Sequence, residues 1–209
     1  MGDARAEPVE RDHLLLAFDG PVCSPFARLK AETVADRLKV LLGPGVPREV
    51  ARTRDPFDVL RYAVSCGPDT AHVVERQLRR HELEAVTLVR EKPDVRGALR
   101  RLTDAGITVT VFGNLAVDAV SSFLSLRDLA EDAKWVSARA SGDPARLTPD
   151  PFLLHQAIHA LGSSAERCLV VAESAADLAA AAAAGIDAVT SLRDPAATPA
   201  PASRWPPDR

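Results

Sequence analysis

Asp19, Glu173 and Asp177 are carboxylates that closely follow apolar runs, a residue type that can do acid–base work where a fold brings several together. Asp19 follows the apolar run Leu14-Leu15-Leu16-Ala17-Phe18 and opens the turn Gly20-Pro21-Val22. Glu173 and Asp177 follow a second apolar run, Leu169-Val170-Val171-Ala172. Carboxylates crowded in a cleft raise one another's pKa, which suits proton transfer near neutral pH. Cys23, just past the first turn, could act as a nucleophile if a helix N-terminus lowered its pKa. No histidine is an obvious partner for it, and a free cysteine is commonly a small buried residue. His155 and His159 stand four apart and share one helix face. Two such ligands without an intervening Glu make no metal motif, and a solvated face is the plainer reading.

Strands and helices in alternation must position these groups. Leu14 to Phe18, Ile107 to Phe112, Lys134 to Ser137, Cys168 to Ala172 and Ala188 to Thr190 read as short strands. Helical patterns cover Ala116 to Leu129, Phe152 to Leu161 and Ala175 to Ala184. That order predicts an α/β fold with a parallel sheet covered on both faces. Residues 26–91 break the alternation with helical repeats such as Thr33 to Leu38 and Ala71 to Leu78. Within them, Asp55 is expected to cap a helix with Pro56 at its first position. A helix from Asp94 to Ala105 should stop at Gly106, because glycine takes left-handed backbone angles cheaply. Residues 1–12 are polar and 196–209 are Pro-rich, so both are expected to be flexible tails.

Composition narrows the function classes. With 209 residues, 46% hydrophobic and 26% charged, the chain can bury a substantial core as an ordinary globular protein. A formal charge of -3 gives no electrostatic reason to expect nucleic acid or an anionic membrane as partner. No apolar run approaches the roughly 20 residues that span a bilayer. The N-terminus lacks the basic and apolar blocks of a secretory signal. Cys23, Cys66 and Cys168 have no metal-ligand spacing, and a reducing cytoplasm is the simplest compartment.

The order and spacing of four segments resemble the motifs of the haloacid dehalogenase (HAD) superfamily, over about residues 13–194. The nearest pattern is that of the C1-capped, phosphatase-like members, similar to phosphoglycolate phosphatase and beta-phosphoglucomutase. Leu14 to Val22 resembles the first motif, an apolar strand followed by Asp-x-Asp-Gly-Thr or Asp-x-Asp-Gly-Pro. Ala17 stands at the position of the family's nucleophilic Asp. Asp19 matches the second Asp, which the resemblance makes a general acid and base; it could equally cap the turn. Val109 to Asn114 resembles the second motif, with Gly113 where a phosphate-binding hydroxyl is usual. Asn114 matches the usual neighbour, and is expected here to cap the helix beginning near Ala116. Leu147 to Leu154 keeps the frame of the third motif, with Thr148 in the place of its lysine; Arg146 lies nearby and reads as a surface arginine. Leu169 to Asp177 resembles the fourth motif, with Glu173 in place of its first Asp and Asp177 retained.

The resemblance implies a HAD-like core at 13–25 and 92–195, with a helical C1 cap at 26–91. It also implies that Ala17, Gly113, Thr148 and Glu173 converge at the C-terminal ends of the strands, where open α/β sheets place ligands. Arg54, in a charged turn of the cap, becomes a candidate anion contact, and Asn114 and Cys23 candidate ligand contacts. Mg²⁺ requires near-ideal octahedral geometry at about 2.0–2.1 Å. With Ala17 and Glu173 at ligand positions, no cofactor is expected and Mg²⁺ binding should be weak at best. The expected protein is HAD-hydrolase-like without phosphatase chemistry, a pseudoenzyme that holds a small molecule or a protein partner. Two alternatives are acid–base chemistry on a non-phosphorylated metabolite by Asp19, Glu173 and Asp177, and a phosphatase using a rescuing group.

Overall fold

The computed structural model describes residues 11–140, 143–193 and 197. Apart from residues 11, 12 and 197, the expected tails lie outside the described residues. Asp12 is tied to the sheet, donating its N–H to the Arg167 carbonyl at 3.3 Å and accepting from the Thr108 amide at 2.9 Å. Ala197 is buried in the core.

Five described strands form one parallel sheet: β1 (His13–Ala17), β2 (Thr108–Ala116), β3 (Trp135–Arg139), β4 (Cys168–Val171) and β5 (Asp187–Val189), in the order β3-β2-β1-β4-β5. Leu14, Leu15 and Leu16 are all buried, as expected of a central strand covered on both faces. Alternate residues serve opposite faces. Leu14, Leu16 and Phe18 pack with helices α5 (Val95–Asp104) and α6 (Val117–Leu126). Leu15 and Ala17 pack with α7 (Phe152–Leu161) and α8 (Ala175–Ala183). The α5 helix ends as its sequence requires: Gly106 adopts φ 80° and donates to the Thr103 carbonyl, while Ile107 donates back to Leu102.

Between β1 and α5 the chain is helical, in α1 (Ala31–Lys39), α2 (Arg48–Arg52), α3 (Pro56–Ser65) and α4 (Pro68–Thr87). These helices have an apolar cluster of their own, including Val34, Leu38, Leu60, Val74 and Leu78. Asp55 caps α3 by accepting from the Phe57 amide, with Pro56 at the first turn.

One capping expectation is overturned. Strand β2 continues through Asn114 to Ala116, so Asn114 lies within extended backbone and cannot cap the helix that follows. The free amide at the α6 start, on Ala116, is taken instead by Glu82 of α4 at 3.0 Å. Glu82 is also gripped by Arg139 at the end of β3, through bonds of 2.6 and 2.5 Å, and both side chains are excluded from water. Arg139 further binds Glu75 and donates to the Asn114 carbonyl at 3.1 Å. Glu75, Arg79 and Glu82 thus form one polar edge of α4 that docks on the sheet, with Arg79 reaching Asp118 of α6.

Removing one partner of a buried ion pair leaves an uncompensated charge, which costs about 3–5 kcal/mol. Glu82→Ala should lower the free energy of urea unfolding by about that amount. The double variant Glu82→Leu with Arg139→Met should lose less than Glu82→Ala alone. A loss for the single variant no larger than that of an exposed pair, below about 1 kcal/mol, would show that the contact does not tie α4 to the sheet.

Candidate functional site

The turn after β1 is closed by two backbone bonds, Gly20 N–H to the Cys23 carbonyl at 2.8 Å and Cys23 N–H to the Phe18 carbonyl at 3.1 Å. Gly20 has φ 97°, and a Cβ there would come within 3.1 Å of the Glu173 Cβ, so this position needs glycine on both counts. The turn holds Asp19 at the mouth of a cavity of about 110 Å³. Gly113, Asn114, Thr148, Ser174 and Asp177 share the lining, and Phe57 of α3 contributes from the helical insert.

Most of the site residues read from sequence therefore come together at the C-terminal ends of β1, β2 and β4. Ala17 is buried beside the cavity, in an apolar cluster with Phe112, Leu154 and Ala172. Gly113 is buried against Phe18, where an added Cβ would stand 3.3 Å from the Phe18 Cβ. The Phe18 ring is in turn set edge-on to Phe123, with centroids 5.2 Å apart. Thr148 precedes Pro149 through a cis peptide and is held by Asn114 at two points. Its N–H donates to Asn114 Oδ1 at 2.9 Å, and its Oγ1 accepts from Asn114 Nδ2 at 3.0 Å.

Glu173 is placed differently. It lines a separate hollow of about 540 Å³ with Pro21, Lys92 and Arg101. Both of its oxygens accept from Lys92 Nζ, at 3.0 and 2.9 Å. Ser174 caps α8 by accepting the Asp177 amide at 3.0 Å, and its hydroxyl donates to Asp177 Oδ2 at 2.6 Å. Asp177 therefore braces the cap residue while Ser174 binds the amide.

Two expected contacts are elsewhere. Cys23 is fully buried in the core, and its thiol is pushed far above its ordinary value by burial and then by the Asp19 carboxylate. It neither reaches the cavity nor ionises near neutral pH. Arg54 is exposed and lies 3.8 Å from Glu32, outside the cavity lining. His155 and His159 are exposed on α7. Arg146 pairs with Asp143 and lies over the Phe152 ring.

The family's metal can be tested against these donors. Ala17 offers no ligand atom, Glu173 is engaged at both oxygens by an ammonium, and Asp177 is engaged by Ser174. Among the described residues no three His, Cys, Asp or Glu side chains are grouped to hold a metal ion. The arrangement does not fit an octahedral Mg²⁺ site. Also among the described residues, no helix is long and apolar enough to cross a membrane.

The profile of haloacid dehalogenase-like hydrolases matches residues 25–185. The chain belongs to that family. No curated protein matches its sequence. Among solved structures, CbbY from Rhodobacter sphaeroides in complex with phosphate is similar, with a TM-score of 0.64, 17% identity, and 85% of this chain and 84% of that one covered. A HAD-superfamily hydrolase of subfamily IA from Geobacter sulfurreducens gives a TM-score of 0.55 at 18% identity, covering 89% of each chain. A HAD-like hydrolase family protein from Streptococcus pneumoniae gives 0.58 at 12% identity, with coverage of 85% and 83%.

Lys92, Glu82 and Arg139 escaped the sequence reading. The charges of α4 recur at 75, 79 and 82 on one helical edge, a pattern that ordinarily marks a solvated face. Lys92 lies in the charged stretch Arg90-Glu91-Lys92-Pro93-Asp94, which reads as a solvated turn.

Asp19 remains open to solvent, yet the cleft walls thin its hydration and hold its carboxyl above the ordinary value. The nearby Asp177 carboxylate adds to this, against the pull of Lys92. A raised folded-state pKa means that the native protein binds the proton more tightly than the unfolded chain does. The associated stability is full below the unfolded value, about 3.9, and is lost as pH rises through the folded value. Over pH 4 to 8, urea unfolding of the wild type should therefore lose stability relative to Asp19→Asn. Parallel profiles for the two proteins would contradict the assignment.

Proposed function

We propose that this HAD-family protein binds a ligand or a protein partner at its cavity and does not hydrolyse phosphate esters by the family's aspartyl-phosphate route. The observation that carries the reading is Ala17, a buried methyl at the end of β1 where that route needs a nucleophilic carboxylate. Gly113, Thr148 and the Lys92-bound Glu173 support it. Phosphoryl transfer rests on positioning and charge neutralisation, and each missing element normally costs orders of magnitude in rate. In this reading residues 13–25 and 92–195 act as the core and 26–91 as the cap, with Phe57 closing the cavity. Mg²⁺ binds weakly at best, and the protein works in the cytoplasm. The occupant is a small molecule or a partner protein, with neither a nucleic acid nor a membrane as target.

A second reading has its own observation. The carboxyl of Asp19, raised above its ordinary value by burial and then by Asp177, is the kind of group that can take up and release a proton. It would serve acid–base chemistry on a non-phosphorylated metabolite. Native mass spectrometry followed by metabolite profiling distinguishes the two, since turnover of a co-purified small molecule belongs to the second alone.

A phosphatase screen with Mg²⁺ should show no turnover above the blank. Ala17→Asp alone should leave that result unchanged, because the new carboxylate would be set among Phe112, Leu154 and Ala172 without a hydroxyl at 113 or a lysine at 148. Adding Gly113→Ser should destabilise the fold by about 1–3 kcal/mol, since the new Cβ presses on Phe18. Robust Mg²⁺-dependent hydrolysis by the purified wild type would overturn the proposal.

A further inference from the structure

Lys92 stands at the return from the helical insert to the sheet, where its N–H donates to the Val22 carbonyl at 2.8 Å. Its backbone is thus fixed against the same turn that carries Asp19. From there Nζ reaches both oxygens of Glu173, a residue 81 positions away, at nearly equal distances. Glu173 is in place to receive it because its stem lies over Gly20, where any side chain would intrude. Lys92 also counters, at Asp19, the unfavourable influence of the Asp177 and Glu173 carboxylates. One ammonium therefore sits on the carboxylate that, by its place after β4, corresponds to the family's metal ligand.

We propose that Lys92 is a built-in counter-cation, a positioning residue that occupies the Glu173 carboxylate and balances the Asp19–Glu173–Asp177 group in place of a divalent metal. The idea rests on the placement of Glu173 and holds whether or not the protein turns over a metabolite. An ammonium differs from a metal in what it can hold. It donates hydrogen bonds to oxygens about 2.9 Å away and does not gather several carboxylates into one shell at close range. The charge is met while the carboxylates remain apart, as found for Asp177 on Ser174 and Glu173 on Lys92. A longer Glu side chain also suits this contact, since it carries the carboxylate out from β4 to the chain at 92.

The test is Mn²⁺ binding to the full-length protein, measured by isothermal titration calorimetry and by thermal shift. The wild type should show no saturable binding up to about 1 mM, while Lys92→Met should acquire a site at least about tenfold tighter, because uncompensated carboxylates attract a cation. Lys92→Arg should behave as the wild type. Lys92→Met combined with Glu173→Gln should lose the acquired binding. Lys92 is partly exposed, and pairs of that kind contribute little to stability, so the variants should fold; Lys92→Gln provides a second neutral replacement. Equal Mn²⁺ affinity in the wild type and both neutral variants, whether tight or absent, would overturn the proposal. Phosphatase assays are not needed for this result, so its failure is separable from failure of the binding-protein reading.

Discussion

Arg139 and Glu82 leave water together, and the arrangement around the cavity follows from how that cost is met. Desolvating an ion costs several kcal/mol even after the protein relaxes, so a buried pair persists only where its remaining donors and acceptors are satisfied. Here Glu82 accepts from Arg139 and from the Ala116 amide, while Arg139 also reaches Glu75 and the Asn114 carbonyl. The bonds join α4, the end of β3 and the end of β2, where Ala116 is also the N-cap of α6. Through α4 they fix the helical cluster that carries Phe57, and Arg139 itself lies 6.0 Å from the Phe57 ring. Through Asn114 they reach Thr148. One charge pair therefore connects two parts of the cavity lining, Phe57 and Asn114.

Within the cavity, the residues at the family's chemical positions are fitted to one another. Phe18 fills the space that a side chain at 113 would need, and Phe123 holds its ring edge-on. Asn114 holds Thr148 at two points, accepting from its amide and donating to its hydroxyl oxygen. Asp177 and Ser174 satisfy each other at the start of α8. An unpaired buried polar group is costly, and these pairings remove that cost without a bound phosphate or metal. They also explain why single replacements at these positions would be felt by a neighbour.

Much of the fold was legible because its determinants are local. The apolar runs at 14–18 and 168–172 became central strands, Asp55-Pro56 started α3, and Gly106 stopped α5. Each of these signals lies within a few residues of its effect. The start of α6 was legible but its cap was misread for a tertiary reason: β2 runs on to Ala116, and the amide that a local cap should take is served by a carboxylate 34 residues earlier. Arg54 and Cys23 were assigned by their neighbourhood in sequence, whereas burial of Cys23 and the outward position of Arg54 depend on how the turn and the helical cluster pack.

The groups that sequence did not reveal share one property, a partner far along the chain. Arg139 meets Glu82 across 57 residues, and Lys92 meets Glu173 across 81. A charged residue alone in a sequence has the same appearance whether it will be solvated or paired, so composition and periodicity cannot separate the cases. Spatial proximity does, and it gives the two pairs different meanings. The Arg139–Glu82 pair is sealed from water and can serve only by holding elements together. The Lys92–Glu173 pair is half open to solvent, adds little to stability, and instead decides which charges the turn after β1 presents to whatever enters from solution.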